Sequence, residues 1–378
     1  MALGTIMRID DRTVLVTGQE LDFEKGQPDV GNALLHRVED TLFLVDTGVT
    51  TAFREALTRA IDQVGPWHKL VLLTTHGHID HVGNNDLPDE WAADRGITAE
   101  HYVPARDLPQ MLEPTHYWEA TFDRVVGVAP LPAPPALVAD SVVSLFQPLR
   151  PFGRTTRSYE SLPLEHFSIG FQRCTGWSFA DGAVRVIRSQ GHCSGHVIVY
   201  FRDAALLHLG DEDNGACGVM QDADQLKLQT ALATAAALVE DGSVQHLTAG
   251  HDFQVFDKDD ARTHLETLLD QSTALQQIAL DTVEGRDSVH PKDFLVGYTA
   301  GMNTLQVGGA NPNPMFTTMM ALNQLAEIGL APRDGHSDSD WHRPDLVTPE
   351  VPAARPHGLA LIPAAAGMVA WKLRKLDR

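Results

Sequence analysis

Three histidines and an aspartate lie close together in the stretch TTHGHIDHVG, which runs from Thr74 to Gly83. His76 and His78 are two residues apart, so in an extended backbone their side chains project to the same side and can bind one metal ion. Asp80 and His81 follow where the chain is expected to turn into a helix, so they point elsewhere and suit a second ion. Because a catalytic zinc site needs about three protein donors plus an open position for water, the stretch indicates half of a two-metal site.

The missing donors are expected at the ends of later strands. Three candidates each follow an apolar strand and a single glycine: His192 after VRVIRSQ, Asp211 after ALLHL, and His251 after VQHLTA. Glycine at that position lets the backbone turn sharply and come close to a metal centre. The sequence therefore predicts that four strand ends deliver ligands to one edge of a sheet.

In this order, the motifs HGHIDH, SQGHCSGH, GD and GHD resemble those of the metallo-β-lactamase superfamily of hydrolases, over about residues 14–253. The resemblance implies one ion held by His76, His78 and His192, a second held by Asp80, His81 and His251, and Asp211 bridging the two. It also implies that Asp46, in LVDTG, orients ligands without binding metal itself.

Two residues that follow His192 in the GHCSGH element, Cys193 and His196, have competing interpretations. His196 is expected to form structural hydrogen bonds, because the superfamily ligand is the first histidine of this GHxxGH element. Cys193 stands where the superfamily more often has a hydroxyl residue; we expect a buried, inert thiol, with metal binding as the alternative.

The resemblance implies an α/β fold, the four-layer αβ/βα metallo-β-lactamase sandwich, with a C-terminal helical extension. Short strands are predicted at TVLVTG, NALLHR, TLFLVDTG and KLVLLTT, and an antiparallel meander is predicted from AVRVIRSQGH to ALLHLGD. Helical spacing of apolar residues predicts helices in TTAFREALTRAIDQVG, in about 223–240, in DDARTHLETLLDQSTALQQIAL and in MFTTMMALNQLAEIGL. We expect a catalytic domain over 1–258 with an insertion at about 104–171, the helical extension over 259–330, and a Pro- and Asp-rich tail with a short apolar segment over 331–378.

The expected activity is hydrolysis of an ester, lactone, thioester or amide of a small molecule by a hydroxide that two metal ions share. By analogy with the superfamily, Asp80 is placed to accept or relay the proton of the nucleophile. Two divalent ions are expected, with zinc favoured and iron or manganese as alternatives. The presence of Asp211 points away from true β-lactamases of this fold and toward lactonase, glyoxalase II-like thioesterase or phosphodiesterase chemistry. The alternatives are a phosphodiesterase and a mononuclear iron dioxygenase of the persulfide dioxygenase type.

The insertion contains side chains that could cover the pocket of an aromatic or acidic small molecule, with ordinary packing as the alternative. They are His116, Tyr117, Trp118, Arg154, Arg157 and Tyr159.

Net charge and cysteine content limit which partners and which cellular compartment are expected. The 378 residues include 29 Lys and Arg against 50 Asp and Glu, a formal charge of −21 that disfavours nucleic acid and anionic membranes. Three cysteines without a CxxC pair, and an N-terminus without signal-peptide character, favour the cytoplasm. The apolar stretch at 358–371 is interpreted as a packing or dimer-contact segment, which leaves a homo-oligomer open, with surface attachment to a membrane as the alternative.

Overall fold

Two seven-stranded sheets form the centre of the protein. The computed structural model describes residues 2–22, 24–305 and 314–344. The first sheet has the order β1 to β7: Ile6–Arg8, Thr13–Val16, Ala33–Val38, Thr41–Val45, Lys69–Leu73, Thr98–Val103 and Thr156–Ser158. The second sheet contains β8 to β14: Glu165–Ile169, Gln172–Phe179, Val184–Arg188, Val197–Phe201, Leu206–His208, His246–Thr248 and Phe256–Asp257. In both sheets, strands that are neighbours in the chain are also neighbours in the sheet.

The strands of the first sheet are apolar on both faces because both faces are covered. In β5, Leu70 and Leu72 point to one hydrophobic cluster, whereas Val71 and Leu73 point to another. This alternation follows from the two-residue period of a strand, and it explains why KLVLL is a continuous apolar run. β4, β5, β6 and β7 pair in parallel, while β1 to β4 pair antiparallel.

The predicted meander is confirmed in the second sheet. β10 pairs antiparallel with β11, and β11 pairs antiparallel with β12. The next pair, β12 and β13, is parallel, and helix α7 (Gln225–Glu240) lies between them in the chain. A parallel neighbour requires such a crossover connection, so α7 is the element that returns the chain to the same end of the sheet.

The described residues form ten α-helices, most of which pack on the outer faces of the sheets. They are α1 Thr51–Ala60, α2 Ile79–Val82, α3 Leu87–Arg95, α4 Leu108–Leu112, α5 Pro114–Val126, α6 Pro135–Leu145, α7, α8 Lys258–Val283, α9 Pro291–Leu305 and α10 Pro314–Glu327. Side-chain caps begin several of them: Thr50 accepts from the backbone of Phe53 at α1, and Asp257 accepts from the backbone of Asp259 and Asp260 at α8.

Three hydrophobic clusters define four layers. One cluster lies between the sheets and joins Phe43 of the first to Phe201 of the second. A second joins the outer face of the first sheet to helices such as α1 and α5, and a third joins the second sheet to α7, α8, α9 and α10. The arrangement of helix, sheet, sheet and helix confirms the predicted αβ/βα sandwich with C-terminal helices.

Residues 331–344 also contribute strands. β16 (Ala331–Pro332) and β17 (Trp341–His342) pair with each other, and β17 pairs with β15 (Ser288–Val289), which precedes α9. The apolar stretch at 358–371 lies outside the described residues. Within the part of the chain that the structure describes, no helix combines the length and the hydropathy needed to cross a bilayer.

Candidate metal centre

Four loops bring the predicted ligands together at one end of the sandwich. The HGHIDH stretch follows β5 of the first sheet, whereas His192, Asp211 and His251 follow β10, β12 and β13 of the second. The expectation of a single sheet edge is therefore wrong, because donors come from both sheets. The two packed sheets present neighbouring ends, so ligands far apart in the chain meet between them.

His76, His78, His192 and Asp211 form the first group. Each offers one ligand atom, and these atoms all lie within 4.8 Å of one another. The Nε2 atom of His192 lies 3.0 Å from Nδ1 of His78. All four side chains are buried.

Asp80, His81, Asp211 and His251 form the second group, again with ligand atoms within 4.8 Å of one another. The Nε2 atoms of His81 and His251 lie 3.3 Å apart, and Oδ2 of Asp80 lies 3.1 Å from Nε2 of His251. Asp80 and His251 are partly exposed, so this group is the more accessible to solvent.

Asp211 belongs to both groups. Its Oδ1 lies 3.1 Å from Nε2 of His81, and its Oδ2 lies 3.3 Å from Nε2 of His251. The same Oδ2 lies 3.6 Å from Nε2 of His192 and 3.9 Å from Nε2 of His76. A single carboxylate thus faces histidines of both groups.

Asp46 and Thr75 orient two of the histidines. Asp46 is fully buried, and its Oδ2 accepts hydrogen bonds from Nδ1 of His81 at 2.9 Å and from the Thr75 hydroxyl at 2.6 Å. Thr75 also lies 3.0 Å from Nδ1 of His76 through its hydroxyl oxygen. Since both Nδ1 atoms are occupied, Nε2 of each ring is left to face the centre, as expected for histidines that bind metal.

His196 forms structural hydrogen bonds in the structure. Its Nε2 accepts from the backbone N–H of Asp211 at 3.0 Å, so Nδ1 carries the hydrogen and faces the Ser189 hydroxyl at 2.9 Å. A Cβ on Gly210, which has a φ of 56°, would lie 2.7 Å from the same Nε2. Glycine is therefore required at this turn both by conformation and by space.

The sequence does not identify Glu212 as a residue of the site, although it follows Asp211 directly. It is fully buried, and its carboxylate accepts from the backbone N–H groups of Gly191 at 2.8 Å and His192 at 3.1 Å. Its Oε1 also lies 3.2 Å from Nδ1 of His196. Glu212 thus fixes the backbone that presents His192, and its position beside a ligand in GDED is the only sequence signal for it.

Asp29 is a second residue at the site that the sequence does not identify, because the GQPDVG stretch indicates only a turn. Its Oδ1 lies 3.2 Å from Nδ1 of His251, which leaves Nε2 of that ring for the centre. No motif spacing relates residue 29 to residue 251, so the contact depends on the fold.

The electrostatics of the two groups differ. Burial, reinforced by neighbouring imidazoles, holds the pKa of His76 well below its usual value, and burial lowers the pKa of His192 to about 3. Burial opposes protonation of His81 and His251 too, but carboxylates led by Asp211 outweigh it and raise the pKa of both well above the usual value. The first group thus presents neutral imidazole lone pairs, and the second concentrates carboxylate charge.

The donor set fits divalent cations. Nε2 of His76 is buried without a hydrogen-bond partner, although it faces the shared centre. Buried polar atoms normally have partners, so an orphan of this kind indicates a missing ligand. Imidazole nitrogens and carboxylate oxygens are also ligands that zinc, iron and manganese accept.

Of the insertion side chains proposed to cover the pocket, Tyr117 is in hydrogen-bond range of a predicted ligand, at 3.3 Å between its hydroxyl and Nε2 of His78. Tyr159 is fully buried, and its hydroxyl donates to the carbonyl of Thr74. Trp118 packs in the cluster on the outer face of the first sheet. Cys193 is buried, and its thiol donates to Oδ2 of Asp107 at 3.5 Å.

The sequence matches the family model of the metallo-beta-lactamase superfamily over residues 26–153. No curated protein matches the chain. Among solved structures, the chain is similar to a metallo-beta-lactamase family protein from Thermus thermophilus, with a TM-score of 0.55 and 18% identity over 89% of this chain and 100% of the other.

Two further solved structures have similar folds. A beta-lactamase domain protein from Burkholderia ambifaria has a TM-score of 0.56 and 15% identity, over 91% of this chain and 94% of the other. The stereoselective inverting sec-alkylsulfatase Pisa1 from Pseudomonas sp. has a TM-score of 0.50 and 15% identity, over 84% of this chain and 49% of the other. At these identities the likeness concerns the fold.

Proposed function

We propose that the chain, which matches the metallo-β-lactamase superfamily model over residues 26–153, is a binuclear metal-dependent hydrolase of a small-molecule ester, lactone, thioester or amide. One ion would be held by His76, His78 and His192, and the other by Asp80, His81 and His251. Asp211 would contact both ions. Zinc is the favoured metal, with iron or manganese as alternatives.

The observation that supports two ions is the sharing of Asp211 by two complete donor groups. Each group contains three further donors, which is the number that a catalytic zinc site requires. A site for one ion would leave either the carboxylates of the second group or the imidazoles of the first without a function. Divalent ions held there would lower the pKa of bound water toward neutrality and polarise a carbonyl oxygen.

The protein's own groups supply orientation. Asp46, Thr75 and Asp29 occupy the Nδ1 atoms of His81, His76 and His251, which directs each Nε2 inward. His196 fixes the backbone of Asp211, because its Nε2 accepts a hydrogen bond from the Asp211 N–H. These contacts hold the donors before substrate arrives, so little reorganisation is needed during the reaction.

Asp80 is the more accessible of the two carboxylates at the centre. Burial would raise the pKa of Asp80, but His81 and His251 outweigh burial and lower that pKa to about 2, so the carboxylate is ionised at neutral pH. The Asp80 side chain is 14% exposed, whereas that of Asp211 is only 3% exposed. Asp80 is thus ionised and nearer to solvent than Asp211, so it is the carboxylate to which we assign, by analogy with the superfamily, acceptance or relay of the nucleophile's proton.

Elemental analysis of the purified protein, combined with an activity panel, tests the proposal. We expect about two divalent ions per chain and hydrolysis within a panel of lactone, thioester, β-lactam, phosphodiester and alkyl sulfate substrates. Asp211→Ala is expected to lose at least one ion and to lower kcat by about 100-fold or more, in line with the loss of one stabilising group in an active site. Asp94→Asn, on the exposed side of α3, serves as the matched control.

Three results would reject the proposal: no bound metal, turnover that survives complete metal removal, or full metal content in Asp211→Ala. Iron alone together with oxygen consumption would favour the dioxygenase alternative. Phosphodiester cleavage without activity on the other substrates would favour the phosphodiesterase.

A further inference from the structure

A tyrosine and an aspartate lie behind one of the predicted ligands. The Tyr117 hydroxyl lies 3.3 Å from Nε2 of His78 and 2.9 Å from Oδ1 of Asp222. The rings of Tyr117 and His78 pack with their centroids 5.8 Å apart. Tyr117 is on α5, Asp222 precedes α7, and His78 follows β5, so three separate parts of the chain meet here.

The direction of each hydrogen bond follows from the position of His78. Its Nδ1 faces Nε2 of His192 at 3.0 Å, inside the first ligand group, so Nδ1 is the atom that would bind metal. A neutral imidazole then carries its hydrogen on Nε2, which donates to the Tyr117 oxygen. The Tyr117 hydroxyl in turn donates to Asp222.

Asp222 is itself held in place. Its second oxygen, Oδ2, accepts from the backbone N–H of Ser194 at 2.9 Å, two residues after His192. The carboxylate therefore connects the loop of one histidine ligand to the ring of another. An anchored carboxylate at the end of a hydrogen-bond chain increases the basicity of the imidazole at the other end.

We propose that Tyr117 and Asp222 form a positioning relay that fixes the tautomer and orientation of His78 and so sets the metal affinity of the first ligand group. Tyr117 takes the place that a carboxylate or carbonyl usually occupies behind a metal-binding histidine. The relay also gives the insertion a function at the metal centre, since Tyr117 is on an insertion helix. This inference depends on the proposed ligand set.

Competition with a chromophoric zinc chelator tests the relay without an activity assay. Tyr117→Phe removes only the hydroxyl, and we expect about 10- to 100-fold weaker binding of one of the two ions, with the other nearly unchanged. Asp222→Asn keeps the shape but removes the charge, and a loss in the same direction is expected. The visible absorption of the Co²⁺-loaded protein should change in both variants, because it reports the geometry around the ion.

Tyr200→Phe is the matched control, because the Tyr200 hydroxyl donates to the carbonyl of Ser243 and contacts no predicted ligand. In the double variant Tyr117→Phe with Asp222→Asn, a relay predicts a loss close to that of Tyr117→Phe alone. A loss equal to the product of the two separate losses contradicts the relay.

The outcomes for the relay and for the proposed function are distinguishable. If the unaltered protein binds two ions and Tyr117→Phe binds both with unchanged affinity and unchanged Co²⁺ absorption, the relay alone is wrong. If the unaltered protein binds no metal, the proposed function itself fails.

Discussion

At the scale of single residues, burial lowers the pKa of two histidines outside the predicted ligand set, His101 and His208, and so keeps them neutral. His101 lies between two threonine hydroxyls, with Nε2 at 3.0 Å from Thr74 and Nδ1 at 2.7 Å from Thr156. Burial lowers the pKa of His101 to about 3. His101, on β6, thus connects the residue after β5 to β7 without joining the metal centre.

We predict that metal-free protein loses stability as the pH falls below about 6.5, the pKa of histidine in the unfolded chain. Between that pH and the folded pKa of about 3, the unfolded state binds a proton that folded His101 does not. Each such histidine contributes a slope of about 1.4 kcal/mol per pH unit to the free energy of unfolding. Urea unfolding at several pH values from about 7.5 to about 4.5 should give a shallower slope for His101→Gln than for the unaltered protein.

His116→Gln is the control for this measurement, because the His116 side chain is 76% exposed. An unchanged slope in His101→Gln, or an equal change in both variants, would contradict the assignment to His101.

At the scale of elements, the C-terminal helices share a hydrophobic core with the second sheet. Leu265 of α8 is fully buried in the same cluster as Leu207 of β12 and Leu247 of β13. The division into a catalytic domain over 1–258, a helical extension over 259–330 and a tail beyond remains a proposal. Because one hydrophobic cluster runs from the second sheet into α8, α9 and α10, we infer that the extension folds together with this sheet.

Leu265→Ala is therefore expected to lower the free energy of unfolding of the whole protein by about 2–5 kcal/mol, the cost of a cavity in a packed core. Leu280→Ala, on the same helix at 41% exposure, is expected to cost about 0.5 kcal/mol or less. Urea unfolding followed by both fluorescence and circular dichroism measures the difference. Two separate transitions, with only one shifted by Leu265→Ala, would show that the extension unfolds independently.

At the scale of the whole molecule, the candidate metal centre joins the two sheets. The first sheet supplies the histidines near residue 76, and the second supplies His192, Asp211 and His251. Ions bound there would connect both halves of the sandwich. Metal binding is then linked to folding, because the unfolded chain does not hold these donors together.

Removal of metal is expected to lower the Tm. A ligand that binds only the folded state, present at about 100 times its Kd, stabilises that state by about 2.7 kcal/mol. Thermal unfolding with zinc and with excess chelator measures the difference, and Asp211→Ala should show a smaller difference than the unaltered protein. Equal Tm values for the unaltered protein in both conditions would exclude metal-linked stability.

The sequence by itself determined the features that depend on short spacing. The continuous apolar run of KLVLL and the His-x-His-x-Asp-His spacing are local, so the strand and the first four candidate donors were predictable from neighbouring residues. The later donors were predictable because each follows an apolar strand and a glycine. The motifs together indicated the superfamily and its four-layer fold.

The tertiary structure alone decided which side chains stand behind those donors. Tyr117 and Asp222 are 105 residues apart, and Asp29 and His251 come from distant loops. No period of a helix or strand relates such pairs, because their distance depends on how the two sheets and the insertion pack. Six insertion residues looked equally suited to cover the pocket, and packing left Tyr117 in hydrogen-bond range of His78 while it buried Tyr159 in the core.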